Sequence, residues 1–332
     1  MFLRMLRSET VGSAERMDAA LRGLRRYQQA PRGAGRPDRP VVARAGRACL
    51  RDGGGAGPPV VLVPSIINPP QVLDLSAERS FIDWLAGRGV HPLLVDWGAP
   101  APGERTLSLA GHVETMLLPL LDTVKEPAVL VGYCLGGTMA IAAAALRPTR
   151  GLGLIAAPWR FGRYPADTLS ALDDFWSHAA PAADALGLLP MEVLQAAFWR
   201  LDPARTVAKY ERLGAEPADP QALAEFVRLE DWSNDGPPLT FGAARELFDD
   251  LFGSDATGRT RWTVAGRVID PAAIASPILD IASATDRIVP AAAALALGAR
   301  IELTLGHVGM MVGRHAESRL WAPLAAWLSA LK

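Results

Sequence analysis

Residues 128–146 of the 332-residue chain have the sequence AVLVGYCLGGTMAIAAAAL. The apolar residues at its start predict a short buried strand, and the run of good helix formers at its end predicts a helix. Between them, Cys134 lies between Gly132 and Gly136 at a strand-to-helix turn. Glycines at these positions permit a strained turn and leave no side chains to collide with the adjacent strand and helix. The stretch therefore predicts a presented cysteine rather than a thiol that only fills the core.

This arrangement is typical of the nucleophile elbow of α/β-hydrolases, with cysteine where serine is more common. The helix that follows would point its N-terminal dipole at Cys134 and so favour the thiolate. The other cysteine, Cys49, has no such context, and we interpret it as structural. The elbow therefore makes Cys134 the candidate nucleophile.

The rest of the chain alternates strand-like and helix-like segments, which predicts β-α-β units and a mostly parallel central sheet. We expect an α/β-hydrolase fold whose core comprises residues 41–157 and 263–332. The helix-rich, tryptophan-containing segment 158–262 interrupts this alternation and is expected to form an inserted helical cap. Residues 1–40 are rich in arginine. We expect them to form an N-terminal arm that is either solvated or docked on a partner or an anionic surface.

A nucleophile elbow requires an acid and then a histidine later in the chain, each placed after a later strand. Asp286 follows the predicted strand ILDIA, and His307 follows the last predicted strand. Asp270 and Asp280 are rival candidates for the acid, but Asp280 falls inside a buried strand and Asp270 precedes it. The order Cys134, Asp286, His307 therefore predicts a nucleophile–acid–base triad.

Acyl transfer also requires two donors aimed at the oxygen that becomes negative in the transition state. The backbone amide of Leu135 is one candidate, because it directly follows the nucleophile. The other is expected in the loop after the first core strand, where we favour the amide of Ile67. The alternative that this loop only turns the chain stays open.

Composition limits the function classes. Half of the residues are apolar, and 34 basic against 35 acidic residues leave a net charge of −1, which favours neither nucleic acid nor a membrane surface. No apolar run is long enough for a transmembrane segment, and the first ten residues lack the apolar region of a secretory signal. With so few cysteines, a cytoplasmic location is expected. No metal or cofactor motif is found, and we predict neither.

The motifs together resemble the catalytic subunit of polyhydroxyalkanoate synthases, especially the short type that works with a separate accessory subunit. The resemblance covers nearly all of the chain from about Val60 to Leu331 and includes GYCLGG at 132–137 as the cysteine-containing box. The other matching segments are VPSIINPPQVLDL (63–75), LLVDWGAPAPGERTLSLAGHV (93–113), EDWSNDGPPL (230–239), TDRIVP (285–290) and GHVGMMVG (306–313). Six motifs in the same order are more specific than any one of them.

The resemblance implies an acyltransferase that polymerises (R)-3-hydroxyacyl-CoA into a polyester and releases coenzyme A. It implies Cys134 as the nucleophile, with His307 as the base and Asp286 as its orienting acid. It also implies a small accessory subunit and a polyester granule surface as partners, with a cytoplasmic, granule-associated location. A homodimer stays open.

Two alternatives remain at this point. The stretch between Pro290 and Gly306 is shorter than is usual in the family, which would favour a cysteine-dependent thioesterase or polyester hydrolase if it opens the site to water. The second alternative is a non-catalytic granule-associated protein, against which the intact order of the triad argues.

Overall fold

The computed structural model describes residues 2–33, 35–215 and 219–331, except for the side chains of Arg200 and Leu201. Within these residues, eight strands form one sheet in the order β1-β2-β4-β3-β5-β6-β7-β8. The strands are β1 Val41–Ala45, β2 Ala48–Asp52, β3 Pro59–Val63, β4 His91–Asp96, β5 Val129–Tyr133, β6 Gly151–Ile155, β7 Ile278–Ser283 and β8 Ala299–Leu303. From β4 to β8 in this order each adjacent pair of strands is parallel, whereas β2 is antiparallel to both β1 and β4.

The helices alternate with these strands and also fill the long connection between β6 and β7. They are α1 Phe2–Glu9, α2 Ala14–Gln29, α3 Phe81–Ala86, α4 Leu109–His112, α5 Leu118–Asp122, α6 Leu135–Leu146, α7 Ala166–Leu186, α8 Met191–Leu201, α9 Pro203–Ala215, α10 Pro220–Asn234, α11 Phe241–Arg245, α12 Gly309–Val312 and α13 Ala322–Ala330. Short π-helical segments extend α4, α11 and α13 at Val113–Leu117, Glu246–Gly253 and Glu317–Trp321. None of the helices in the described ranges is both long and apolar enough to cross a membrane.

The central strands are apolar along nearly their whole length because both faces of a parallel sheet are covered. Every residue of β5 and β6 is buried, as are four of the five residues of β3. Helix α6 follows β5 and is itself buried from Leu135 to Ala144, so it packs as a core helix rather than an amphipathic surface helix. The predicted α/β-hydrolase fold, with a mostly parallel sheet and a helical insertion, is confirmed.

The chain divides into two compact units, the first comprising Met1–Arg36 with Met191–Gly236 and the second Pro37–Pro190 with Pro237–Lys332. The first unit thus combines most of the expected arm with part of the expected cap. The expected boundaries at residues 40, 158 and 262 stay predictions. Of the expected arm and cap, Met1, Ala34 and residues 216–218 lie outside the described residues.

Within the first unit, α2 and α9 approach each other closely through glycine. A Cβ atom on Gly23 would lie 1.9 Å from the Tyr210 carbonyl oxygen, and one on Gly214 would lie 1.8 Å from the Ala19 carbonyl oxygen. The buried centre of this unit is apolar and consists of Leu6, Ala20 and Val207, surrounded by Phe2, Met5, Met17 and Leu21. Close backbone contact therefore replaces side-chain interdigitation where the two helices cross.

Several arginines of residues 1–36 bond inside this unit. Arg22 and Arg26 donate to the carbonyl oxygens of Gly214 and Leu213, at 3.3 and 2.5 Å. These carbonyls lie in the last turn of α9, where a cation complements the negative end of the helix. Arg32 donates to both carboxylate oxygens of Asp231 at 3.0 Å. These positive charges therefore contribute to the packing of the helical unit.

Candidate active site

The turn between β5 and α6 presents Cys134 in a strained backbone conformation. Its φ of 55° and ψ of −132° lie where L-residues are rare, and the residue is partly exposed. A Cβ on Gly132 would lie 2.4 Å from the Gly137 Cα, and one on Gly136 would lie 2.2 Å from the Val63 carbonyl oxygen. Both glycines are therefore required, one against the helix and the other against the end of β3, as the sequence predicts.

The predicted acid and base lie together at the same edge of the sheet. His307 donates from Nδ1 to Oδ2 of Asp286 at 2.7 Å. The other carboxylate oxygen of Asp286 accepts the amides of Ile288 and Val289 at 2.8 and 3.0 Å. Asp286 is 6% exposed and His307 is 8% exposed. Three hydrogen bonds thus hold the buried carboxylate, and it in turn orients the imidazole.

Cys134 lies close enough to the His307 imidazole to act on its protonation. Because Nδ1 is occupied by Asp286, Nε2 is the nitrogen that remains available to a reacting group. Burial is the largest single influence on the pKa of His307 and lowers it. The negative charges of Cys134 and Asp286, with their hydrogen bonds, outweigh burial and raise the pKa of His307 to about 10. The site therefore favours the protonated form of the His307 imidazole.

The sequence reasoning missed Ser283, which joins the loops of the acid and the base. Its hydroxyl donates to the Leu305 carbonyl oxygen at 2.6 Å and accepts the Leu305 amide at 3.0 Å. The adjacent Ala284 amide donates to the Leu303 carbonyl oxygen at 2.9 Å. A serine at the end of a strand gives no sequence signal for this role, because the contact depends on the pairing of β7 with β8.

The two predicted oxyanion donors lie in different local environments. Leu135 is the first residue of α6, so its amide has no partner within the helix. The amide of Ile67 donates to the hydroxyl of Ser65 at 3.2 Å. The indole of Trp97 donates to the Pro64 carbonyl oxygen at 3.0 Å and so ties down the start of this loop. The donor roles of both amides stay predictions.

The rival residues have other partners. Asp270 caps the short helical turn after it and accepts the Ala272 amide at 3.0 Å. Asp280 is fully buried, where it accepts the Ala296 amide at 2.7 Å and pairs with Arg300 at 3.3 Å. Burial raises the pKa of the Cys49 thiol, and this residue is only 4% exposed within β2. The contacts of these three residues are structural.

Aromatic side chains of the insertion adjoin the site within the second unit. Burial, followed by the negative charges of Cys134 and Asp286, raises the pKa of Tyr164 well above its usual value. The Tyr164 ring stacks on Phe161 at 6.1 Å and meets Phe252 edge-on at 5.2 Å. Sequence reasoning anticipated an aromatic-rich insertion but not this residue.

No cluster of three or more histidine, cysteine, aspartate or glutamate side chains within the described ranges is arranged to hold a metal ion.

Comparison with known sequences gives a consistent result, although no family model matches the chain. The polyhydroxyalkanoate polymerase subunit PhaC of Haloferax mediterranei is 29% identical over 291 residues, which cover 82% of this chain and 58% of that protein. The sequence resemblance is to polyhydroxyalkanoate polymerases. PhaC of Synechocystis sp. is 28% identical and PhaC of Allochromatium vinosum is 27% identical, with 77% and 80% of those proteins covered.

The share of the relatives that this chain covers varies. The chain spans 58% and 60% of the length of the polymerase subunits from Haloferax mediterranei and Haloarcula marismortui. Among solved structures, Rv0554 of Mycobacterium tuberculosis is 18% identical with a TM-score of 0.53, covering 86% of this chain and 94% of that one. BpoC of the same organism is 17% identical with a TM-score of 0.50, covering 90% and 99%. Likeness at this level identifies the shared fold.

Proposed function

We propose that this protein is a polyhydroxyalkanoate synthase-like acyltransferase that polymerises (R)-3-hydroxyacyl-CoA and releases coenzyme A. The single observation that carries the proposal is the arrangement of Cys134, His307 and Asp286 at an elbow within a chain that resembles polyhydroxyalkanoate polymerases. A thiol nucleophile suits this reaction, because exchange of one thioester for another is close to isoenergetic. Loading of the enzyme is therefore reversible.

In the first half-reaction, His307 takes the proton from Cys134, and the thiolate attacks the carbonyl carbon of the thioester. The carbonyl oxygen becomes negative and is stabilised by the amides of Leu135 and Ile67. The bond to the sulfur of coenzyme A then breaks, and the imidazolium of His307 protonates the leaving thiolate. The products are an acyl-cysteine with neutral His307 and coenzyme A, which carries away the proton that came from the Cys134 thiol.

In the second half-reaction, the 3-hydroxyl group of an acyl unit attacks the acyl-cysteine. His307, held by Asp286, removes the hydroxyl proton as the new ester bond forms, and returns it to the Cys134 sulfur as the thioester bond breaks. Water competes for the same acyl group, so the outcome depends on exclusion of water. The ring cluster of Tyr164 and Phe161, both buried, with the partly exposed Phe252 supports that exclusion.

The test is incubation of the purified protein with 3-hydroxybutyryl-CoA, with release of coenzyme A, free acid and insoluble polymer measured in parallel. Coenzyme A with polymer is the expected result. Coenzyme A with free acid would instead identify a thioesterase or polyester hydrolase. No release in any assay, with or without the accessory subunit of a related polymerase, would favour a non-catalytic granule protein.

The proposal extends to partners. The related proteins are named polymerase subunits, which supports an accessory subunit as a partner of this chain. A polyester granule surface, a cytoplasmic location and a homodimer belong to the same proposal. Size measurement of the protein alone and with a candidate subunit tests the assembly states, and sedimentation with polymer granules tests surface association.

A further inference from the structure

Tyr133, the last residue of β5, directly precedes the nucleophile, and the mechanism above gives it no role. Its side chain is 3% exposed, so it lies beneath the site rather than in the substrate's path. The ring contacts the catalytic base instead. This contact joins the strand that carries the nucleophile to the loop that carries the histidine.

Two separate contacts connect Tyr133 with His307. The phenol hydroxyl donates to the main-chain carbonyl oxygen of His307 at 3.3 Å. The two rings are stacked, with centroids 5.0 Å apart and planes inclined by 25°. In the turn of α12 that follows, the amides of Met310 and Met311 donate to the carbonyl oxygens of Gly306 and Val308, which flank His307 in the sequence. The His307 carbonyl thus receives its donor from Tyr133 across the site.

We infer that Tyr133 is a positioning residue that holds the His307 imidazole and stabilises its protonated form. The face of an aromatic ring is negative and attracts a cation, so stacking favours imidazolium over neutral imidazole. Asp286 acts on the ring edge at Nδ1, whereas Tyr133 acts on the ring face and on the backbone. This inference rests on the proposed function, in which His307 receives the proton of Cys134.

The two contacts can be separated by substitution. Tyr133→Phe keeps the ring and removes the hydroxyl. Tyr133→Met removes the aromatic face and fills the space with a flexible side chain, and Tyr133→Leu gives a second non-aromatic variant if the first does not fold. The sequence has two cysteines, so the parent and all variants carry Cys49→Ala, which leaves Cys134 as the thiol that can be alkylated.

The measurement is the rate of Cys134 alkylation by iodoacetamide between pH 5 and pH 10, read by mass spectrometry. The thiolate is the form that is alkylated, so the midpoint of the parent's profile is the reference against which the variants are compared. In Tyr133→Met the rate at pH 6.5 should fall by about 3- to 30-fold, and the midpoint of the profile should move to higher pH. In Tyr133→Phe the midpoint should stay where it is in the parent.

Two results would overturn the inference. A Tyr133→Met or Tyr133→Leu protein that keeps the parental midpoint would show that the ring has only a structural role. If the midpoint moves as far in Tyr133→Phe as in Tyr133→Met, loss of the ring face cannot be the cause of the shift, because Tyr133→Phe keeps the ring.

The alkylation assay uses no acyl-CoA, so it separates this inference from the proposed function. A chain that makes no polymer but shows the expected midpoints would refute the polymerase and leave the role of Tyr133 intact. In a chain that does make polymer, Tyr133→Met should lower kcat and leave KM unchanged, because Tyr133 touches the base and not the substrate. An equal change of KM and kcat would contradict that role.

Discussion

Two helices, α6 and α2, contain glycines that touch the backbone of another element, but they do so in different ways. Gly136 on α6 lies against the carbonyl oxygen of Val63, at the end of a neighbouring strand of the same sheet. Gly23 on α2 lies against the backbone of Tyr210 on α9. These two helices are distant in the sequence, since Arg22 on α2 bonds to Gly214 on α9, 192 residues away. The glycine of the first contact belongs to a motif that is read within seven residues. The second depends on a pairing that no local pattern encodes.

The largest loss of activity is expected from a substitution at the elbow. Cys134→Ala should lower release of coenzyme A from 3-hydroxybutyryl-CoA by about 10³-fold or more, because no other group replaces the nucleophile. Release is measured with a thiol reagent under single-turnover conditions. Cys49→Ala is the control and should retain most of the activity, since that thiol is buried in β2. Equal loss in both variants would exclude Cys134 as the nucleophile.

The next effect concerns the partner of the base. Asp286→Asn should lower kcat by about 10²- to 10⁴-fold, because the imidazole loses its orientation. Removing the carboxylate charge also lowers the pKa of His307, since that charge raises it in the intact site. The imidazolium that protonates coenzyme A then loses its proton at a lower pH. The alkaline limb of the pH–rate profile should therefore move to lower pH.

The control for that variant is Asp270→Asn, which alters only the cap of a helical turn. An alkaline limb that stays in place in Asp286→Asn would contradict the electrostatic role of the carboxylate.

Alanine substitutions at Gly136 and Gly214 test the two kinds of glycine contact directly. Gly136→Ala and Gly214→Ala would each place a Cβ within about 2.2 Å of a carbonyl oxygen. Each should lower the free energy of unfolding by about 2–3 kcal/mol through overpacking. Hydrogen exchange should locate the first loss at the elbow and the second in residues 191–215.

Gly103→Ala is the matched control, because a Cβ there meets no atom within 4 Å. Equal exchange changes at the elbow in Gly136→Ala and Gly214→Ala would show that the two contacts are not independent.

The smallest effect tests the arginines of the first unit. Arg32→Ala removes the pair with Asp231 and should lower the free energy of unfolding of that unit by about 1 kcal/mol or less, because both partners are partly exposed. The loss should diminish at high salt. Arg25→Ala, at an exposed position on the neighbouring helix α2, serves as the control. A larger loss for Arg25 than for Arg32 would contradict the role of the ion pair.

The sequence predicted most of the sheet because its signals are local. An apolar run bounded by proline identifies β3, and the glycine spacing around Cys134 identifies the elbow. The pairing of Asp286 with His307 followed from chain order, which this fold largely determines. Ser283, Tyr133 and Tyr164 were missed, because each acts through a residue from another strand or loop.

Local chemistry in the sequence therefore determined the strand–turn–helix unit, the order of the predicted nucleophile, acid and base, and the resemblance to polyhydroxyalkanoate polymerases. Only the tertiary structure decided that Tyr133 stacks on His307 and that arginines of residues 1–36 bond to α9 and α10. The physical reason is range. Backbone strain and side-chain periodicity act within a few residues, whereas ring stacking and long-range hydrogen bonds require that distant segments first be brought together.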